Sequence, residues 1–173
     1  MSIKISDIPP EGLSLELTER LDLRDRGIEG PVSATASLTI QPADGGILRI
    51  SGRVKAELML ECSRCLEPYP FPVDSGIGIE LAPVGMFAAQ HGEHELSAGE
   101  LEMEFYEGNE VEPLEYVTEQ VLISIPMVPL HDPACKGLCG ICGANMNTTP
   151  CGHQQGDTAD FSPFSVLKGL LKT

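Results

Sequence analysis

The stretch Val32-Ser33-Ala34-Thr35-Ala36-Ser37-Leu38-Thr39-Ile40, then Pro42-Ala43-Asp44-Gly45-Gly46, then the run from Ile47 to Leu60, decides the fold. Ala34, Ala36, Leu38 and Ile40 alternate with Ser33, Thr35, Ser37 and Thr39, the period-two pattern of a strand with one face buried. Pro42 to Gly46 is a turn, with glycines able to take positive φ. On the return, Arg49, Ser51, Arg53, Lys55 and Glu57 share a face opposite Ile50, Val54 and Leu58. The two runs predict a hairpin whose second strand leads directly into Cys62, a rigid place to mount a ligand.

Leu13, Leu15 and Leu17 alternate with Ser14 and Glu16 and predict a further strand; Arg20 to Arg26 reads as a charged connector. Pro68, Pro70 and Pro72 break the chain after the hairpin, and Val73 to Leu81 alternates weakly as another strand. Residues 83–98 read as a loop. Leu101, Met103 and Phe105 then alternate with Glu100, Glu102 and Glu104, a strand with an acidic outer face. A helix over 112–125 follows. Pro113 suits its first position, Glu112 and Glu115 complement its positive end, and Leu114, Val117, Val121 and Ile125 form its buried stripe before Pro126. A second short helix is expected from Ser162-Pro163, with Phe164, Leu167, Leu170 and Leu171 on one face. The fold class is α+β: an antiparallel, partly barrel-like sheet with one packed helix, a Cys-rich metal-binding loop and a C-terminal helix. Residues 1–130 form the sheet-and-helix core, and 131–173 hold the loop and last helix on the same domain.

The chain has 173 residues, enough to bury a sizeable core without help from a metal. Its formal charge is −15, unevenly spread. No Lys or Arg lies between Arg64 and Lys136, a gap holding fourteen acidic residues, while the rest of the chain has eleven bases against twelve acids. A protein built to grip phosphates carries the opposite sign. The acidic run reads either as a solvated face or as a docking surface for a basic partner. No apolar run is long enough to span a bilayer, and Met1 to Pro10 lacks the pattern of an export signal. The expected place is the cytoplasm, where cysteines stay reduced and thiolate ligands are favoured over disulfides.

All six cysteines lie in two phrases. One is Cys62-x2-Cys65; the other holds Cys135, Cys139-x2-Cys142 and Cys151, closing with His153. Two thiolates two residues apart on a tight turn grip one zinc ion, and Leu138-Cys139-Gly140-Ile141-Cys142-Gly143 has the form of such a knuckle. Two groupings are open. Cys139, Cys142, Cys151 and His153 make one site, leaving Cys62, Cys65, Cys135 and His131 for a second; or Cys62, Cys65, Cys139 and Cys142 make a single site. One or two structural zinc ions are expected, with iron as the alternative. Four protein ligands leave no position for a catalytic water. His91-Gly92-Glu93 mimics half of a zinc deaminase motif, but Leu138 rather than Pro precedes Cys139, and no alternation of strands and helices supports that reading. No Gly-rich phosphate loop or G-x-S-x-G turn is present in the sequence. An enzyme is therefore not expected.

Three phrases taken in order resemble the bacterial YceD-like family, the large-ribosomal-RNA-subunit accumulation proteins. They are Cys62-Ser63-Arg64-Cys65-Leu66-Glu67-Pro68, Ile125-Pro126-Met127-Val128-Pro129-Leu130, and Cys135 through Asn147 with Cys151. The resemblance covers roughly residues 30 to 173. It implies a non-enzymatic factor supporting 23S rRNA accumulation or processing and large-subunit assembly. The family pattern has Cys at positions 131 and 153, where this chain has His; both residue types ligate zinc. With the charge map, the resemblance implies a partner that is a large-subunit precursor or a basic ribosomal protein, held on Glu100, Glu102, Glu104, Glu112 and Glu115. A lesser expectation is a direct rRNA contact through Arg49, Arg53 and Lys55, with Arg64 nearby. The alternative is a zinc-stabilised interaction module unconnected with ribosomes.

Overall fold

The computed structural model describes residues 2–28, 30–86, 103–149 and 151–153. The expected helix after Ser162, the loop histidines His91 and His94, and the candidate face residues Glu100 and Glu102 lie outside these residues. The chain divides into two compact units. The first is Met1–Leu60 with Pro70–Met127; the second is Glu61–Tyr69 with the described part of Val128–Thr173.

Among the described residues the first unit has a five-stranded sheet, a two-stranded ribbon and one α-helix. The strands are β1 (Ile3–Lys4), β2 (Leu13–Asp22), β3 (Pro31–Pro42), β4 (Leu48–Glu61), β5 (Pro68–Pro83), β6 (Met103–Tyr106) and β7 (Glu110–Val111), followed by α1 (Pro113–Ile123). The sheet order is β2-β3-β4-β5-β6, and β1 pairs with β7. The hairpin forms as expected: β3 and β4 run antiparallel in unbroken register from Ser33 opposite Glu57 to Pro42 opposite Leu48. Its buried side is Val32, Ala34, Ala36, Leu38 and Ile40 against Leu48, Ile50, Val54 and Leu58. Ile3, Ile8, Leu81 and Val111 join Ile40, Leu48 and Ile50 in one cluster, and Tyr116 of α1 packs against it.

Four expectations are corrected. The sheet is open and not barrel-like: β2 and β6 are its edges, and β6 has only four residues. It is also mixed, because β6 lies parallel to β5, with Glu80 opposite Met103 and Pro83 opposite Tyr106. Arg20 to Asp22 belong to β2, and only Arg24–Arg26 form a 3-10 turn. Pro68, Pro70 and Pro72 do not break the chain; they lie inside β5. In an extended strand successive N–H groups point to opposite edges, so prolines at alternate positions remove donors from one edge only. The other edge keeps its donors at Tyr69, Phe71 and Val73.

The helix begins at Pro113 as expected and buries Pro113, Val117 and Val121; Leu114 is only half-buried. Ser124 closes it, donating from its N–H and its hydroxyl to the Gln120 carbonyl. No helix among the described residues is long and apolar enough to cross a membrane.

Candidate metal centres

The second unit gathers the eight candidate ligands into two sets of four. Cys62, Cys65, His131 and Cys135 form one set, and Cys139, Cys142, Cys151 and His153 the other. Within each set the donor atoms lie within 4.8 Å of one another. Cys62 and Cys65 thus do not share a set with Cys139 and Cys142, and the single-site grouping is not formed.

Both sets start from the same local structure. In the first knuckle the Leu66 N–H donates to the Cys62 carbonyl at 2.9 Å, and the Cys62 N–H donates to the Glu67 carbonyl at 3.0 Å. In the second, the Gly143 N–H donates to the Cys139 carbonyl and the Cys139 N–H to the Ala144 carbonyl, both at 2.8 Å. The residue after the second cysteine must turn left-handed. Gly143 does so at φ +71° without a side-chain penalty, whereas Leu66 adopts φ +62° as the one non-glycine residue with positive φ among those described. Such a turn folds the intervening N–H groups toward the first sulfur.

Those N–H groups set the thiol chemistry. Burial alone would raise the Cys62 thiol, but the N–H groups of His131, Arg64 and Cys65 point at its sulfur and hold it at about 5. Cys139, reached by the N–H groups of Cys142 and Ile141, sits at about 6. Their neighbours move the other way. Burial, then the sulfurs of Cys62 and Cys135, push Cys65 up to about 11, and the bond to Cys139 pushes Cys151 up. Sulfurs this close cannot all carry charge unless a cation lies among them.

The spacing suits zinc. Bonds of about 2.3 Å to sulfur and about 2.0–2.1 Å to nitrogen give tetrahedral edges of about 3.8 Å (S to S) and about 3.5 Å (S to N). Cys62 and Cys135 sulfurs are 3.8 Å apart, and the Cys65 sulfur is 3.4 Å from His131 Nδ1. The second set is looser, with 4.0 Å from the Cys139 sulfur to His153 Nδ1. All six cysteines are free thiols.

The two sets differ in exposure. Cys62, Cys65 and Cys135 are buried with Tyr69, Leu130 and Leu138 around them, and His131 alone of this set is exposed. In the other set Cys139 is buried, Cys151 is half-buried, and Cys142 and His153 are exposed. Several supporting residues were invisible to spacing arguments. Asn147 donates from Nδ2 to the Cys135 sulfur at 3.3 Å and accepts the Lys136 N–H at 2.8 Å. Met146 places its sulfur 3.4 Å from that of Cys151. Arg64 donates to the carbonyls of Pro133 and Cys135 at 3.1 and 2.9 Å, tying the first knuckle to the ligand loop. Asn and Met in Asn145-Met146-Asn147 carry no ligand signature of their own, so only geometry reveals them.

The fold and these donor sets define a class: a mixed-sheet protein carrying a twin Cys-x2-Cys knuckle unit with two Cys3His donor sets. The family model described as "Large ribosomal RNA subunit accumulation protein YceD" matches residues 50–171, and the chain belongs to that family. It is similar to a Zea mays protein named "Large ribosomal RNA subunit accumulation protein YCED homolog 1, chloroplastic", 26% identical over 149 residues. That match covers 73% of this chain and 50% of the maize protein, so the chain spans about half the length of that curated relative. No solved structure matches.

Proposed function

We propose that this chain is a non-enzymatic factor that supports accumulation of large-subunit ribosomal RNA by engaging a basic ribosomal protein or assembly partner. Family membership supplies the ribosomal direction. The observation that carries the mode of action is the charge map: the chain has no Lys or Arg from residue 65 to residue 135. A direct grip on rRNA has weaker support. On the strand face with Arg49, Arg53 and Lys55, Arg49 pairs with Glu80 and Arg53 with Asp74, which leaves Lys55 without an ion pair among the described residues, while Arg64 is spent on backbone carbonyls. Zinc in the two Cys3His sets is structural in this reading, because four protein donors complete a tetrahedron and hold the ligand loop to the first knuckle. The cytoplasm, reducing and rich in ribosomes, suits six free thiols.

The test is sedimentation of the tagged chain from growing-cell lysate in a low-salt sucrose gradient, beside the large-subunit profile of cells lacking it. Co-migration with large-subunit precursors, and depleted large subunits without the chain, are expected. A chain that stays at the top, in cells whose profile is unchanged by its removal, refutes the proposal.

A further inference from the structure

Between α1 and the end of β2 the first unit has an open groove of about 440 Å³, within the usual range for ligand clefts. Its floor is apolar: Leu23 is buried, and Leu114 and Leu122 offer half-exposed side chains. Its rim is acidic. Glu112, Glu115 and Glu119 stand along one side and Asp22 and Asp25 on the other. Among the described residues the lining holds a single base, Arg26, which is paired with Asp25, and Asp22 is paired with Arg24. The three helix carboxylates have no ion-pair partner among the described residues.

The helix does not need all of these charges. Glu112 and Glu115 lie at the positive end of its dipole, but Glu119 lies beyond the first turn and four residues from Glu115, where like charges repel. Its field reaches β6, where the Glu104 carboxyl is pushed up first by burial and then by Glu119. An acidic rim around a leucine floor is complementary to a segment that is both basic and apolar. A nucleic acid has the wrong sign, and a metal ion or polyamine would leave the leucines unused.

We infer that this groove docks an amphipathic, Lys/Arg-rich segment of a partner protein, its aliphatic side chains on Leu114 and Leu122 and its cations on Glu112, Glu115 and Glu119. The inference rests on the proposed function for its choice of a basic protein partner. It adds that the partner is recognised by leucine-like side chains as well as by charge.

The probe is a fluorescein-labelled amphipathic Leu/Lys peptide of about a dozen residues, followed by anisotropy on the full chain. Glu115→Lys with Glu119→Lys is expected to weaken binding at least about tenfold. The same charge change outside the groove, Glu11→Lys with Glu57→Lys, is expected to change it less than about twofold. A peptide with every Leu replaced by Ser and every Lys kept is expected to lose at least about tenfold. Equal weakening by both double variants means general attraction to an acidic protein and overturns the inference, as does full binding of the Ser peptide. So does a dimer dissolved by Glu115→Lys with Glu119→Lys. A chain that stays at the top of the gradient, in cells whose large-subunit profile is unchanged by its removal, while groove binding persists, would instead sink the proposed function alone.

Discussion

Replacing Cys142 by Ser removes one donor from the exposed ligand set and none from the buried one. Structural zinc in small modules binds with roughly 10–16 kcal/mol, so each of four donors supplies about 2.5–4 kcal/mol, or two to three powers of ten in affinity at about 1.4 kcal/mol per tenfold. Purified under reducing, chelator-free conditions, the wild-type chain is expected to carry two zinc ions and Cys142→Ser one. Cys135→Ser also removes one donor, but its consequences differ. Cys62 and Cys65 remain buried beside Tyr69, Leu130 and Leu138, and the loop keeps only its hydrogen bonds to the first knuckle, without a metal to link the two. That variant is expected to lose the inner ion and to expose residues 128–138 to protease, while Cys142→Ser leaves them protected. Native mass spectrometry counts the metal, and a colorimetric chelator follows its release. In wild type, release is expected in two phases, the faster one abolished by Cys142→Ser, because Cys142 and His153 face solvent. Cys142→Ser protein holding two ions, or none, would refute the assignment of ligands to sets. Wild-type protein without metal would remove both sites.

Two further outcomes follow from the fold and the thiols. A Cβ on Gly52 would lie 2.0 Å from the Ser37 carbonyl oxygen and 3.0 Å from Leu38 Cα, backbone atoms that cannot swing aside. Gly52→Ala should cost at least about 2–3 kcal/mol and lower Tm by more than about 5 °C with zinc content intact; a change under about 2 °C in a thermal melt would show that β3 and β4 can separate there. In metal-free protein, thiolates at Cys62 and Cys139 form above about pH 5 to 6 and are lost as pH falls through that window. Thiolate absorbance near 240 nm should therefore be present at pH 7 and vanish by pH 4; a titration that begins only above pH 8 contradicts the amide cradle.

The hairpin was legible because period-two alternation and a glycine turn are local signals, and the ligand residue types were legible because metal spacing is local too. What was misread is non-local. Alternation says which face of a strand is buried but nothing of the direction of its neighbour, so the parallel pairing of β5 with β6 across a long connection left no trace. Proline reads as a breaker unless its parity is considered, and Pro68, Pro70 and Pro72 share one parity. Arg64 looked like a candidate for RNA because a charge in a sequence carries no sign of which carbonyls it meets. The grouping of Cys65 with His131 stayed open for the same reason: sixty-six positions separate them, and only folding brings sulfur and nitrogen to 3.4 Å.

The order of the two knuckles along the chain turns this separation into time. The exposed donor set spans residues 139–153 and is complete within fifteen residues of synthesis. The buried set opens at Cys62 and closes at Cys135, so at roughly 5–20 residues per second Cys65 waits about 4–14 s for its last partner. During that interval the Cys62 and Cys65 thiols stand unsealed on a nascent chain. The more buried of the two centres thus has the longer wait between its first pair and its last ligand, although it closes first along the chain, and its first two thiols are the ones that need a reducing environment while translation continues.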